Sequence, residues 1–265
     1  MNLEPHAIAA WSPWAVAAGG VAYFAAIYLL AGFTAEAVRH ALVGSGRGRW
    51  LDPRPLPPGQ RAREWRQSAL SIAIFGVGLL LPWQMLVHDW ASLHPGNPLW
   101  RVLLELAVLL VWNDIHFYAV HRTLHQPWLL RAVHMAHHRS VVTTPWSTYA
   151  FHPVEALALG SVPLLPMLVW DFTPLALALL PVLSLTYNVV GHSNCRALPR
   201  GWRWLSNAHD HHLHHACHRG NYGFLFTFMD RWLGTQLAED AADAVIRAGL
   251  ARQAREATAG EGDSR

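Results

Sequence analysis

The chain has 265 residues, of which 52% are hydrophobic and only 14% charged, with 14 Trp; roughly 25% charged is usual for a soluble domain. This composition suits a bilayer protein and excludes disorder, collagen-like repeats and coiled coil. All 20 basic residues are Arg, which excludes a P-loop lysine, a Schiff-base lysine and a pyridoxal phosphate site, and a net charge of +3 is no nucleic-acid footprint.

In chain order, five apolar segments are predicted to cross a membrane: residues 14–33, 68–87, 99–120, 154–170 and 174–190. No Arg or Lys precedes the first, so it does not read as a signal peptide. The third carries Glu105, Asn113, Asp114 and His116. Asp171, Phe172 and Thr173 alone separate the fourth from the fifth, which predicts a helical hairpin kinked at Pro163, Pro166 and Pro181. Residues 239–257 read as an amphipathic helix and 258–265 as a frayed end. Trp202 and Trp204, beside Arg200 and Arg203, suit the membrane interface.

Arginine sets the sidedness. Residues 1–13, the 89–98 loop and the Asp171 turn have none. The 44–67 linker has six, the 121–152 segment three and the tail from 195 nine. Alternate loops are empty and full, the positive-inside pattern for five crossings. The expected fold is all-α: a polytopic membrane helical bundle with a cytoplasmic histidine-rich metal-binding cap. The expected division is 1–113 for membrane helices and linker, 114–237 for the catalytic region, and 238–265 for the tail. The expected location is multi-pass integral membrane, in a bacterial inner membrane with the active site facing the cytoplasm.

Cys195 and Cys217 are too few for a disulfide framework. There is no C-x-x-C, G-x-G-x-x-G, G-x-S-x-G or H-E-x-x-H. Histidine is in excess: there are 18, and 14 of them fall between His116 and His218. His121 and His125 form an H-x3-H at the end of the third crossing. His134, His137 and His138 form an H-x2-H-H, as do His211, His214 and His215. His192 ends the fifth crossing. Side chains at i, i+3 and i+4 share a helix face, so H-x3-H offers two imidazoles on one stripe and H-x2-H-H can offer three. These nine are the candidate metal ligands and catalytic residues, enough for two ions with four or five nitrogens each. Imidazole suits iron, zinc, copper and nickel. His6, His40, His88 and His94 read as solvated or capping residues, and His209, His212 and His218 as bystanders to the third cluster.

At these residues the sequence resembles the fatty acid hydroxylase/sterol desaturase superfamily of membrane di-iron oxygenases. Asp114-x3-Tyr118-x2-His121-Arg122-x2-His125 is similar to its D-x3-Y-x2-H-R-x2-H, and His134-x2-His137-His138 to its second box. Phe151-His152-Pro153-Val154-Glu155 resembles H-P-[LV]-E, and Gly191-His192-Ser193-Asn194 the isolated histidine before the last box. His211-x2-His214-His215, Asn221-Tyr222-Gly223 and Asp230-Arg231-Trp232-Leu233-Gly234-Thr235 resemble H-x2-H-H, N-Y-G and W-D-x-x-F-G-T. Met229 stands where the family often has Trp. Fatty-acid 2-hydroxylases carry H-x3-H where this chain has His192 to Arg196; that second histidine is absent, and His152 or a water is the candidate to complete the second iron.

The resemblance implies an oxidoreductase that uses two Fe ions, with O2 as co-substrate, to hydroxylate or desaturate an apolar lipid. No reductase or haem module is on the chain, so electrons are expected from a separate ferredoxin, cytochrome or reductase. Asp114, Glu155 and Asp210 are expected to orient imidazoles from behind, with His116, Tyr118, His152 and Asn221 also flanking the ligands. The expected substrate route is a cavity between the kinked fourth and fifth helices. The alternatives are a membrane zinc-dependent hydrolase and a histidine-rich metal or haem transport protein; no nucleic-acid partner is expected.

Overall fold

A computed structural model of the chain describes residues 8–197 and 204–238, with Ala244, Arg247 and Ala248. His6, Arg200, Trp202, Arg203 and nearly all of the expected 239–257 helix lie outside the described residues. Helix α1 is Pro13–Gly44; α2, Gln60–Gly78, runs through Leu79 into α3, Leu80–Val87; α4 is Leu99–Leu124. A short turn and a π-helical stretch, Leu130–His134, lead into α5, Met135–His138. Then follow α6, Pro153–Gly160; α7, Leu164–Met167; α8, Pro174–Gly191; α9, Ala208–Cys217; and α10, Phe228–Trp232. The described sheet is one two-residue ribbon, β1 (Arg49–Trp50) against β2 (Cys195–Arg196).

The helix starts are written locally. Ser12 accepts from Ala15 N at 3.2 Å and Pro13 opens α1, while Thr173 Oγ1 accepts from Ala176 N at 3.3 Å and Pro174 opens α8. Helices α1 and α2 pack with their backbones nearly touching. A Cβ on Gly20 would stand 2.6 Å from Gly76 O, and one on Gly76 would stand 2.4 Å from Val21 N. Small residues are what allow such an approach between membrane helices.

Four helical segments are long and apolar enough to cross a membrane: Pro13–Gly44, Gln60–Val87, Leu99–Leu124 and Pro174–Gly191. The expected fourth crossing, 154–170, is instead a broken helix, α6 and α7. Pro163 has no N–H to give to Leu159 O, and the turn closes instead with Ser161 N and, at 3.4 Å, Val162 N on that carbonyl. The broken segment still joins the two ends of the bundle. At one end Glu155 lies against His134; at the other Asp171 pairs with Arg101 at 2.8 Å. Glu105, buried near that far end, takes Arg101 Nε at 2.8 Å, Thr173 N at 2.8 Å and Thr173 Oγ1 at 2.6 Å. This clamp fixes the predicted hairpin turn against the start of α4.

Apolar clusters fill both ends. Phe24, Tyr28, Phe75, Trp146, Phe151 and Leu185 pack beneath the histidines, and Val102, Leu106, Leu109, Phe172 and Leu180 pack near the Glu105 clamp.

Candidate metal centre

Imidazoles gather where α4 and α8 end, against α5 and α9. All nine predicted histidines are brought together, in two groups. One group holds His121, His125, His134, His138 and His214; the other holds His137, His192, His211 and His215. Within each, one nitrogen per ring lies within 4.8 Å of the others. His125 and His211 are partly buried and the rest buried. His192 is 1% exposed, its Nε2 3.3 Å from His137 Nε2 and 3.0 Å from His211 Nε2.

The H-x2-H-H boxes do not put three rings on one stripe. His134 and His138 join the first group while His137 joins the second. His211 and His215 join the second while His214 joins the first. Helix geometry explains the split: i and i+4 differ by about 40° around the axis, whereas neighbours differ by about 100°. Each box therefore straddles the two groups and ties them together.

The donor set fits a cation. Four Nδ1 atoms sit against backbone carbonyls: His121 on Tyr222 O at 2.9 Å, His125 on His218 O at 3.1 Å, His192 on Asn188 O at 3.0 Å and His214 on Gly220 O at 2.6 Å. A carbonyl only accepts, so each of these Nδ1 atoms carries the proton and each Nε2 offers a lone pair. Those lone pairs converge. His138 Nε2 stands 3.2 Å from His125 Nε2 and 3.1 Å from His214 Nε2, and the His192–His211 contact above is another such pair. Two facing acceptors repel unless a proton or a metal ion lies between them. Among the described residues, Nδ1 of His137, His138 and His215 and Nε2 of His134 also lack a hydrogen-bond partner.

Burial keeps the rings uncharged. His125 is pushed down to about 3 and His192 to about 4 from the ordinary 6.5, while His134, His137, His138, His211, His214 and His215 lie well below it. Neutral imidazoles are the ligating form.

The flanking residues divide. Glu155 Oε1 lies 2.8 Å from His134 Nδ1, close but out of line for a hydrogen bond. Burial raises the Glu155 carboxyl well above its ordinary range. Asp114 reaches the loop after α9: its Oδ1 accepts from Leu225 N at 2.6 Å and Phe226 N at 2.9 Å. That loop carries the Tyr222 carbonyl that holds His121. Asp210 closes a capping box with Asn207, and Asn221 Nδ2 donates to Asp210 O at 3.1 Å. Tyr118 OH bonds Thr235 Oγ1 at 2.9 Å. His116 Nε2 meets Ser161 Oγ at 3.3 Å, at the break between α6 and α7. His152 stands outside both groups and caps α6, its Nδ1 accepting from Val154 N at 3.2 Å.

The fatty acid hydroxylase family profile matches residues 106–235, the stretch that supplies all nine histidines. A Delta(7)-sterol 5(6)-desaturase of Aspergillus fumigatus is 30% identical over 220 residues, 72% of this chain and 67% of that protein. The chain belongs to the fatty acid hydroxylase/sterol desaturase superfamily. Proteins with the same desaturase name are 26% identical over 183 residues in Leptosphaeria maculans (65% of this chain, 49% of that one) and 31% over 195 residues in Eremothecium gossypii (68% and 52%). The chain thus spans about two thirds of the first relative and about half of the other two. No solved structure matches it.

Members of this superfamily are oxidoreductases, and the family is known for iron-dependent oxygenation. In this member, a cleft reaching His211 opens between α4 and α8. Phe117, Tyr187, Val190 and Phe224 line it. Its free space is about 20 Å³, room for one water, so a lipid chain requires these side chains to part.

Sequence reasoning missed the carbonyls of Asn188, His218, Gly220 and Tyr222 as ring holders. Three left-handed residues shape the turn that aims three of them: His218 (φ 55°), Gly220 (φ 61°) and Asn221 (φ 48°). Asn-Tyr-Gly was the visible signal, but a carbonyl's direction is not written in a side chain. Among the expected bystanders, His218 has a share in the site through its carbonyl and through its ring, 4.9 Å from that of His138. His212 is fully buried and faces Asp52 Oδ2 at 3.9 Å, outside both groups.

Proposed function

We propose that the protein is a di-iron, O2-dependent enzyme that hydroxylates or desaturates an apolar lipid. The observation that carries this is the split of nine neutral imidazoles into groups of five and four whose lone pairs converge. His121, His125, His134, His138 and His214 would hold one iron, and His137, His192, His211 and His215 the other. When bound, such a pair supplies activation of O2 for oxidising an unactivated C–H bond.

The chain's own residues do the rest. The four backbone carbonyls fix ring tautomers, so each Nε2 presents its lone pair without rearrangement. Phe117, Tyr187 and Phe224 exclude water from the His211 side and offer an apolar face to a substrate arriving from the bilayer. The names of the relatives favour a sterol-like substrate and desaturation, and we carry both to this chain as part of the proposal. Electrons come from a separate ferredoxin, cytochrome or reductase. The arginine distribution supports placing the histidine end on the cytoplasmic side, with residues 114–237 as the catalytic region between the membrane helices and the tail.

Two measurements test the reading. Protein produced with iron should hold about two metal ions per chain; one or none, with the fold intact, overturns it. Comparative lipidomics of a deletion strain and its complemented strain should show one lipid class accumulating unoxidised, and unchanged lipid profiles would refute an oxidising role.

A further inference from the structure

On the same end of the bundle, but apart from the histidines, lies a second cavity of about 280 Å³. Its walls come from the end of α1 (Glu36, Arg39, His40), the β1 strand and linker after it (Trp50, Asp52, Arg54), Arg61 of α2, and Thr143. It has no part in the chemistry proposed above.

The wall carries several polar side chains among apolar ones, and their bonding is incomplete. Arg39 is 7% exposed, gives Nη2 to Glu36 Oε1 at 2.7 Å and Nη1 to Ser193 O at 3.2 Å, and lies over the Trp50 ring at 5.2 Å. Its Nε has no partner among the described residues, and neither does the hydroxyl of Thr143, which is 0% exposed. On the acceptor side, Glu36 Oε2 is buried and unpartnered. Arg54 forks onto Asp52, with Nε 2.8 Å from Oδ1, and Arg61 reaches Glu36 Oε1 at 3.5 Å with 47% of its side chain exposed. Three guanidiniums face two carboxylates, leaving one positive charge. Buried donors and acceptors rarely stay unpaired, so the wall is matched to a ligand with one negative charge, acceptor oxygens and at least one hydroxyl.

Position selects the source. Glu36, Arg39 and His40 follow the apolar 14–33 run within about two helical turns, which puts them at headgroup depth on the arginine-rich side. We propose that this cavity binds the headgroup of a monoanionic glycerophospholipid whose headgroup carries free hydroxyls. The phosphodiester takes Arg39 Nε, Thr143 Oγ1 and Arg61, and a headgroup hydroxyl takes Glu36 Oε2.

The site also touches the machinery beside it. Thr143 lies on the loop that leaves His138. Asn194, which follows His192, exchanges bonds of 2.8 and 2.9 Å with the Asp52 backbone. A bound headgroup therefore braces both chain exits from the histidine clusters.

The test is native mass spectrometry of the full chain in detergent, titrated with phosphatidylglycerol, with phosphatidylcholine of the same acyl chains, and with inorganic phosphate. One phosphatidylglycerol per chain is expected, retained about tenfold or more over phosphatidylcholine, as loss or gain of a charge-assisted bond implies. Arg61→Gln, at an exposed site, removes the surplus charge and should bring that ratio close to one, whereas the nearly isosteric Thr143→Val removes a phosphodiester contact and should lower retention of both lipids. Equal retention of the two lipids overturns the proposal, as does an unchanged ratio in Arg61→Gln or unchanged retention in Thr143→Val. Displacement of phosphatidylglycerol by equimolar inorganic phosphate would assign the cavity to a free anion and overturn it too.

Discussion

His192→Ala separates the two histidine groups. Its ring is one of four in its group, while the other group has five. Tetrahedral imidazole and thiolate sites gain about 10–16 kcal/mol from a bound metal over four ligands. Removing one of four therefore costs about 3 kcal/mol, or roughly 100-fold in affinity. The second group would be left with three ligands, whereas His125→Ala leaves four in the first. Iron per chain, measured by plasma mass spectrometry on the monodisperse fraction after brief chelation, should fall from about two to about one in His192→Ala. It should fall less in His125→Ala and not at all in His94→Ala, whose ring sits in the 89–98 loop against Gly96 O at 3.3 Å. Two irons retained in His192→Ala, or the same loss in His94→Ala, would refute the reasoning.

The remaining expectations concern stability and topology. Metal-free protein should lose stability as pH falls from about 6.5 toward 4. The folded-state pKa of His192 is lowered to about 4, so in this window the unfolded chain binds the extra proton, and each such histidine removes up to ~1.4 kcal/mol per pH unit; a flat urea midpoint between pH 7 and 5 would contradict this. Gly76→Ala should destabilise the α1–α2 pair by about 1–3 kcal/mol, because its Cβ meets the backbone N and Cα of Val21 as well as that residue's Cγ2; an unshifted thermal midpoint counts against that packing. Glu105→Ala should lower stability, because Thr173 N, Thr173 Oγ1 and Arg101 Nε lose their acceptor while Asp171 still holds Arg101, yet leave iron per folded chain unchanged, since the clamp lies at the opposite end; a selective loss of iron would reject the separation of the two ends. Cysteine labels in 44–67 should react from the same side as labels after 195 and from the opposite side to labels in 89–98; any other partition removes the proposed sidedness.

Sequence by itself determined the membrane class, the all-α fold and the identity of the nine gathered histidines. Apolar length and the i, i+3, i+4 spacing are local properties, and local properties survive in a one-dimensional reading. The sequence also marked the hairpin turn at Asp171 and the prolines on either side. Three things were decided only by tertiary structure. Whether Pro163 merely kinks a crossing or breaks it depends on what else can bond Leu159 O. Which group His137 joins depends on where α8 and α9 stand around α5, because His138 points about 100° and His134 about 60° away from it around the helix. And the tautomers of His121, His125, His192 and His214 depend on carbonyls of Tyr222, His218, Asn188 and Gly220, two of them over 90 residues distant in the chain. A carbonyl is present at every residue, so only the folded path of the backbone selects the ones that aim a ring.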